Sequence, residues 1–367
     1  MAGLYVHIPF CVRKCSYCDF YSEPGRLSSL DDFLGALISE AGQYRGMCFE
    51  TLYIGGGTPS ILGAGALGKM MRGLSGCLGL TGLSEATIEA NPDTADEGFL
   101  RTAAECGISR ISIGVQSLND DELTKCGRLH DAGQALEAID TARACGFADI
   151  SADIIIGLPG QTLKSLEETL HSLVISTVTH ISAYCLSVEP RTEFARHPPQ
   201  GLPDDDAQAG LYEFAARYLK DKGYLHYEIS NFALPGRQCR HNLNYWRGGD
   251  YLGLGPGAAS HLEGRRYKNS ADLDKYIANP LSVKCDAEEL EAEAKAGEEA
   301  MLRLRLLEEG LDTTDLAARY GYSNTASLQI RLNKLAEDKM LERAGTHYRL
   351  PPGGVLTSNR VFIEIIS

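Results

Sequence analysis

The sequence predicts an α/β chain: a parallel sheet of strand–helix units, followed by a small, mostly helical C-terminal domain. Three observations predict it. Six short apolar runs alternate with longer segments of helical spacing between residues 4 and 188. The unusual residues (cysteines, glycines, lone polar groups) gather directly after those runs. Past Pro203 the alternation stops and the character of the chain changes. Successive strand–helix units join by right-handed crossovers, closing either a doubly wound sheet or a partial barrel. In both, ligands sit beyond the C-terminal ends of the strands. A length of 367 residues suits one such barrel with an appendage.

The elements follow in order. Leu4 to Ile8 reads as a buried strand. Asp31 opens a helix with Phe33, Leu34, Leu37 and Ile38 on one face. Thr51 to Ile54 is a second strand, ended by Gly55-Gly56-Gly57. Leu67, Met70, Met71 and Leu74 make the glycine-laden segment Gly65 to Leu78 helical. Ala86 to Ala90 is the third strand, and Thr94 to Cys106 the helix behind it. Arg110 to Val115 is the fourth strand, with helices near Asp120 to Cys126 and Asp131 to Cys145. Asp149 to Ile156, closed by Gly157-Leu158-Pro159-Gly160, is the fifth strand. Leu163 to Ser176 is helical, and His180 to Val188 is the sixth strand.

Asp204-Asp205-Asp206 then caps a helix to about Lys222. Tyr224 to Phe232 reads as one strand, and His241 to His261 as a glycine-rich, aromatic stretch. Ala287 to Ala300 reads as a Glu/Ala/Lys helix, Glu299 to Glu309, Thr313 to Tyr320 and Ser327 to Glu337 as further helices, and Met340 to Leu350 as short strands. That pattern suits a winged-helix-like domain. The tail Leu356 to Phe362 reads as its closing strand or helix. The expected divisions are residues 1–203, 204–286 and 287–367.

Acidic residues exceed basic ones by 49 to 35, a formal charge of −14. Nucleic acid is therefore not an expected partner, whatever winged helices do elsewhere. With 44% hydrophobic and 23% charged residues the chain is globular. No apolar run reaches the roughly eighteen residues of a membrane span. The N-terminus lacks a basic n-region, so a cytoplasmic protein is expected.

Eight of the eleven cysteines are isolated and read as small buried hydrophobes. The other three form Cys11-Val12-Arg13-Lys14-Cys15-Ser16-Tyr17-Cys18, directly after the first strand. Thiolates hold zinc or iron–sulfur clusters. Structural zinc takes four ligands, usually as two pairs, and no second pair follows. A four-iron cluster on three cysteines leaves one iron open to a small molecule. Arg13 and Lys14 offset its charge.

The C-x3-C-x2-C spacing, with an aromatic before the last cysteine, resembles the radical S-adenosylmethionine (SAM) superfamily. The resemblance implies a partial (β/α)6 barrel, a [4Fe-4S] cluster on Cys11, Cys15 and Cys18, and SAM on the open iron. It further implies SAM contacts from Tyr5, Tyr17, Gly56, Gly57, Thr58, Glu89, Gln116, Arg128, Asp153, Ser187 and Ala259. Glu89 matches the position that meets the SAM ribose. Read alone, Gln116 and Asp153 would be loop caps.

Gly55-Gly56-Gly57-Thr58-Pro59 resembles the branch around oxygen-independent coproporphyrinogen III oxidase. Those decarboxylases carry a further cysteine where this chain has Phe20, and a longer segment before the first strand. His241-Asn242-Leu243-Asn244-Tyr245-Trp246, with the only tryptophan, is instead similar to the signature of the radical SAM haem chaperones (HemW type). That resemblance implies haem or a porphyrin as ligand, with His241 as iron ligand, Asn242, Tyr245 and Trp246 around the macrocycle, and Arg240 and Arg247 for its propionates. It implies haem-requiring acceptors such as respiratory enzymes, with any membrane association through the partner. The competing readings are a coproporphyrinogen oxidase, and for the motif a packed aromatic corner around a satisfied histidine.

Overall fold

The computed structural model describes residues 2–366. Six parallel strands form its centre: β1 (Ala2–Ile8), β2 (Phe49–Gly56), β3 (Glu85–Ala90), β4 (Arg110–Gln116), β5 (Asp149–Ile156) and β6 (His180–Cys185). Between them run α1 (Leu30–Ala41), α2 (Gly63–Ser75), α3 (Glu97–Glu105), α4 (Asp120–Lys125), α5 (Ala132–Ala144) and α6 (Leu163–Ile175). Local chemistry starts several of these helices. Asp131 with Gln134, and Thr162 with Ser165, form reciprocal capping boxes for α5 and α6. Asp96 accepts the Phe99 N–H at 2.7 Å, so α3 begins at Glu97 and not at Thr94.

The sheet continues past the six units. After α7 (Asp205–Asp221) the chain makes an antiparallel hairpin, β7 (Leu225–Glu228) and β8 (Asn231–Ala233), beside β6. The sequence reads this stretch as one strand; the chain turns at Ile229-Ser230 because the Glu228 carboxylate accepts the Ser230 N–H. A short helix, α8 (Arg240–Trp246), precedes β9 (Tyr251–Leu254), which pairs parallel with β1 on its free side. Antiparallel β10 (Ala259–Leu262), β11 (Arg265–Asn269) and β12 (Lys284–Glu289) extend that edge. The sheet is twelve strands in the order β12-β11-β10-β9-β1-β2-β3-β4-β5-β6-β8-β7 among the described residues. The short helix α9 (Leu273–Ala278) links β11 to β12.

The strands alternate strictly. Leu4, Val6, Ile8, Leu52, Ile54, Ile88, Ile111, Ile113, Ile150, Ile154 and Ile181 point outward into one helix-covered core. The residues between them are polar and face one another across the interior. Tyr5 stacks on Tyr53, whose hydroxyl donates to Glu89 at 2.8 Å; Ser112 donates to Asp153 at 3.0 Å; Ser151 and the His180 ring share a bond of 2.8 Å. Parallel strands packed on both faces ordinarily read as continuous apolar runs. This sheet instead encloses a polar lumen.

A second core starts at α10 (Ala292–Arg303) and includes α11 (Thr313–Tyr320), α12 (Tyr322–Glu337), α13 (Ser358–Ile366) and a three-stranded sheet of β13 (Leu311–Asp312), β14 (Glu342–Ala344) and β15 (His347–Arg349). The expected helix from Ala287 is therefore split. Residues 287–289 belong to β12, where Glu288 and Glu289 pair with Arg266 and Arg265 of β11. The expected helix Glu299 to Glu309 ends at Arg303. No helix of the described residues is long and apolar enough to cross a membrane.

Candidate functional site

The cysteine segment leaves β1 at the C-terminal end of the sheet. Phe10 and Cys11 pair with Glu23 and Pro24, closing residues 11–23 into a loop over the lumen mouth. Cys11, Cys15 and Cys18 are free thiols there. The Cys18 N–H bonds to the Cys15 carbonyl at 3.1 Å, and Cys11 Sγ shares a hydrogen bond with Thr58 Oγ1 at 3.3 Å. Among the described residues no three His, Cys, Asp or Glu side chains converge as ligands of one metal ion. A four-iron cluster is a larger body than an ion, and its thiolates stand correspondingly further apart.

The glycine segment braces this loop from below. Gly57 N–H bonds to Ile8 O, and Thr58 N–H to Phe10 O, each at 2.7 Å. A Cβ on Gly57 would collide with the Phe10 carbonyl oxygen. Gly56 has φ +110°, and a Cβ there would meet the His7 ring at 2.7 Å. His7 Nε2 donates to Tyr21 O at 2.9 Å, so its Nδ1 accepts from Tyr5 OH at 3.0 Å. Burial pushes that ring down to about 4 and keeps it neutral.

Arg128 connects the cysteine loop to the strand ends. Its Nη1 donates to Cys15 Sγ at 3.5 Å, and its Nη2 to Asn91 Oδ1 at 2.9 Å and Gly114 O at 2.8 Å. Its buried Nε has no partner. Tyr17 packs on Cys126, Ile155, Leu158 and Phe194 beside the guanidinium. Glu89 accepts from Tyr53 and, at 3.2 Å, from the Gly56 N–H; burial pushes its carboxyl up to about 7. Burial also raises Asp153, against the pull of Ser182 and Ser112. Gln116 closes β4 with φ +63°, a strained turn for a non-glycine residue. Ser187 and Ala259 lie exposed at the rim, Ser187 donating to Glu189 at 2.7 Å.

Three thiols with a guanidinium against one of them fit a cluster. Two lumen carboxylates, the unpartnered Arg128 Nε and the unpartnered Thr87 Oγ1 fit a polar ligand such as SAM. Sequence motifs do not mark Tyr53, His7 or Ser112; the period-2 alternation of their strands does. Phe20 is 72% exposed on the same loop, as is Val12 at 52%.

The His-Asn-x-x-Tyr-Trp segment lies at the opposite end. It forms α8 under the N-terminal ends of β1, β2 and β3. His241 is fully buried, with Nδ1 on Thr51 Oγ1 at 2.8 Å and Nε2 on Tyr245 OH at 2.7 Å. Burial pushes it down to about 3, hence neutral. Both ring nitrogens are engaged, the arrangement of a packed core histidine, so the ring presents no open nitrogen in this conformation. Trp246 is likewise not an open face. The Arg305 guanidinium lies 4.3 Å from its ring centroid, with Phe362 beyond. Tyr245 sets its edge against Tyr251, and Asn242 is half-buried on the same helix. Arg240, Leu243, Asn244 and Arg247 face outward instead, into a cleft of about 400 Å³ shared with Gly3 and Thr51. Arg247 forms an ion pair with Glu309.

Residues 5–173 match the Radical SAM superfamily, whose cofactors are SAM and a [4Fe-4S] cluster, and residues 290–357 match the HemN C-terminal domain. The chain is 33% identical over 366 residues to a protein of Lactococcus lactis named heme chaperone HemW, covering 99% of this chain and 96% of that one. It is 36% identical to its Bacillus subtilis counterpart, covering 99% and 98%. The Escherichia coli counterpart is 37% identical, covering 83% of each. Coproporphyrinogen III oxidase HemN of Escherichia coli has the same fold, with a TM-score of 0.88 at 22% identity over 100% of this chain and 90% of that one. With identity of this level running nearly end to end, the chain belongs to the HemW family of the radical SAM superfamily.

Proposed function

We propose that this protein is a haem chaperone: it binds haem and passes it to haem-requiring proteins. One observation carries the reading, the near end-to-end similarity to several proteins named heme chaperones. Phe20, standing where the decarboxylases have a cysteine, supports it against coproporphyrinogen oxidation.

In this reading Cys11, Cys15 and Cys18 would hold the cluster, with SAM bound beside them. The group, when bound, supplies a single electron to the SAM sulfonium. The chain's own residues bind and orient. Arg128 places positive charge beside Cys15. Glu89 and Asp153 accept hydrogen bonds from the ligand's hydroxyls, and the Gly55–Gly57 main chain lets its amino group approach. The Cys11–Cys18 loop keeps water from the lumen mouth.

Haem docks at the other end, in the cleft beside α8. Arg240 and Arg247 suit two propionates there, and Leu243 offers apolar contact. His241 lies one layer deeper and reaches haem iron only when Tyr245 releases Nε2. The acceptors are proteins that take haem, including membrane-bound respiratory enzymes, and this chain approaches the membrane through them.

Two measurements test the reading. Anaerobic titration of the cluster-loaded protein with haem should give a saturable Soret band, and His241→Ala should weaken it. Incubation with SAM, reductant and coproporphyrinogen III should leave the carboxyl groups intact by mass spectrometry. Haem that does not bind would overturn the chaperone reading, and decarboxylated product would put the oxidase in its place.

A further inference from the structure

We infer that Glu40, which lies outside every motif above, is a positioning residue: it pins the loop 254–259 against the cluster-binding segment and so holds one wall of the SAM site. The inference rests on the SAM reading of that end of the barrel.

Glu40 ends α1 and is 1% exposed. Its Oε2 accepts the Gly255 N–H at 2.9 Å and the Tyr276 hydroxyl at 2.6 Å. Its Oε1 accepts Asn269 Nδ2 at 2.7 Å. The same Asn269 nitrogen donates to Gly255 O at 2.9 Å. Gly255 is therefore gripped at its N–H by one side chain and at its carbonyl by the other. All three donors to the carboxylate are uncharged. Burying a carboxylate with no cation in hydrogen-bond contact is costly even when its oxygens are bonded, and burial does push this carboxyl upward, against a weaker pull from Lys284. An apolar side chain would pack α1 at less cost, so the carboxylate's work is the loop.

What the loop touches gives the purpose. Gly255 has φ +96°, and a Cβ there would stand 2.5 Å from the His7 carbonyl oxygen, at the end of β1. Gly257 faces the Tyr21 ring, to which a Cβ would approach within 3.2 Å. His7 in turn stacks on Tyr21 and donates to its carbonyl. Tyr21 is three residues past Cys18. The contacts run from Glu40 through Gly255 to His7, Tyr21 and the cluster loop. The loop then enters Ala259, a residue the resemblance places on SAM.

The test uses full-length protein with its cluster reconstituted. Glu40→Gln has the same shape but puts an amide donor among three donors, so one contact must break. It should keep wild-type iron content, exchange the Gly255 amide proton faster, and bind SAM about tenfold more weakly, read as the SAM-induced change in the reduced cluster's EPR spectrum. Tyr276→Phe removes one bond to Glu40 without freeing Gly255, and should leave SAM affinity within about twofold. Where Glu40→Gln does not fold, Asn269→Ser decides, with the same expected losses. A folded, cluster-loaded variant at either position that binds SAM as wild type does would overturn the inference. Wild-type protein whose spectrum ignores SAM would overturn the SAM reading and the clamp's purpose with it.

Discussion

Glu85 and His241 are 156 positions apart, yet Glu85 Oε1 accepts the His241 main-chain N–H at 3.0 Å. Its Oε2 takes the Arg240 N–H at 3.0 Å. A carboxylate of β3 thus caps α8, a helix with no cap of its own. Glu85→Ala should destabilise the fold by about 1–2 kcal/mol, the usual worth of an N-cap. It also removes one of the carboxylates near the buried Arg110, leaving Asp153 as the other. The loosened helix should shift Trp246 emission to the red. Intrinsic fluorescence reads this cleanly because the chain has one tryptophan. An unmoved spectrum would remove Glu85 from this role.

Arg128 bonds a cluster thiol with one nitrogen and two strand ends with another. Arg128→Met should still assemble a cluster, since three cysteines remain. Its reduction potential should fall, because a positive charge that favours the reduced cluster is gone. The lost charged hydrogen bonds should lower stability by about 2–3 kcal/mol. Redox titration followed by EPR checks the potential, and denaturant unfolding the stability.

Glu89 carries a pH dependence with a definite sign. Its folded value of about 7 lies above its ordinary 4.5, so the folded chain holds this proton more tightly than the unfolded one. Its contribution is fully present below about 4.5 and is lost as pH rises through about 7. Cofactor-free Glu89→Gln should therefore melt above wild type at pH 8 and level with it at pH 4.5. SAM affinity runs the other way. The ionised carboxylate accepts the ligand's hydroxyls, so wild-type binding should weaken below pH 7, while Glu89→Gln binds weakly at every pH. Calorimetry across pH 4.5–8 reads both.

Gly57→Ala should fail for steric reasons alone, because its Cβ meets a main-chain oxygen that no side-chain rotation relieves. Overpacking of this kind costs about 1–3 kcal/mol. Iron content after reconstitution should drop with Tm, since Phe10 and Cys11 must move. Gly65, with open space around its Cβ position, is the control.

Arg305→Ala should free Trp246 from the guanidinium above it and weaken the hold of the C-terminal domain on α8. If His241 takes haem iron only after α8 loosens, this variant should bind haem faster in stopped-flow mixing. Unchanged rates would place the haem site away from α8.

The six strand–helix units were legible because five of the apolar runs end at glycine, proline or cysteine, the fourth ending at Gln116-Ser117, and because caps such as Asp131 and Thr162 lie beside the helices they start. Helix α8 was not legible as a helix, since its cap sits on β3. The run from Ala287 read as helix by composition, yet cross-strand arginines hold residues 287–289 in β12. Cys11, Cys15, Cys18, Thr58 and Arg128 do gather around one loop, as their motifs imply. The environment of His241 was not readable, because Thr51 and Gly3, which enclose it, come from the far end of the chain.

The polar lumen has a consequence for how this protein matures. The outer faces of its strands are packed by apolar side chains, whereas the inner faces are held by polar contacts such as Ser112–Asp153 and Ser151–His180, to which a bound ligand would add. Such a barrel behaves as a shell that its ligand finishes, so loading and folding draw on one free energy. The empty form should be the one that proteases find, and the quantity of this protein in a cell should follow the supply of iron, sulfide and SAM as closely as the expression of its gene.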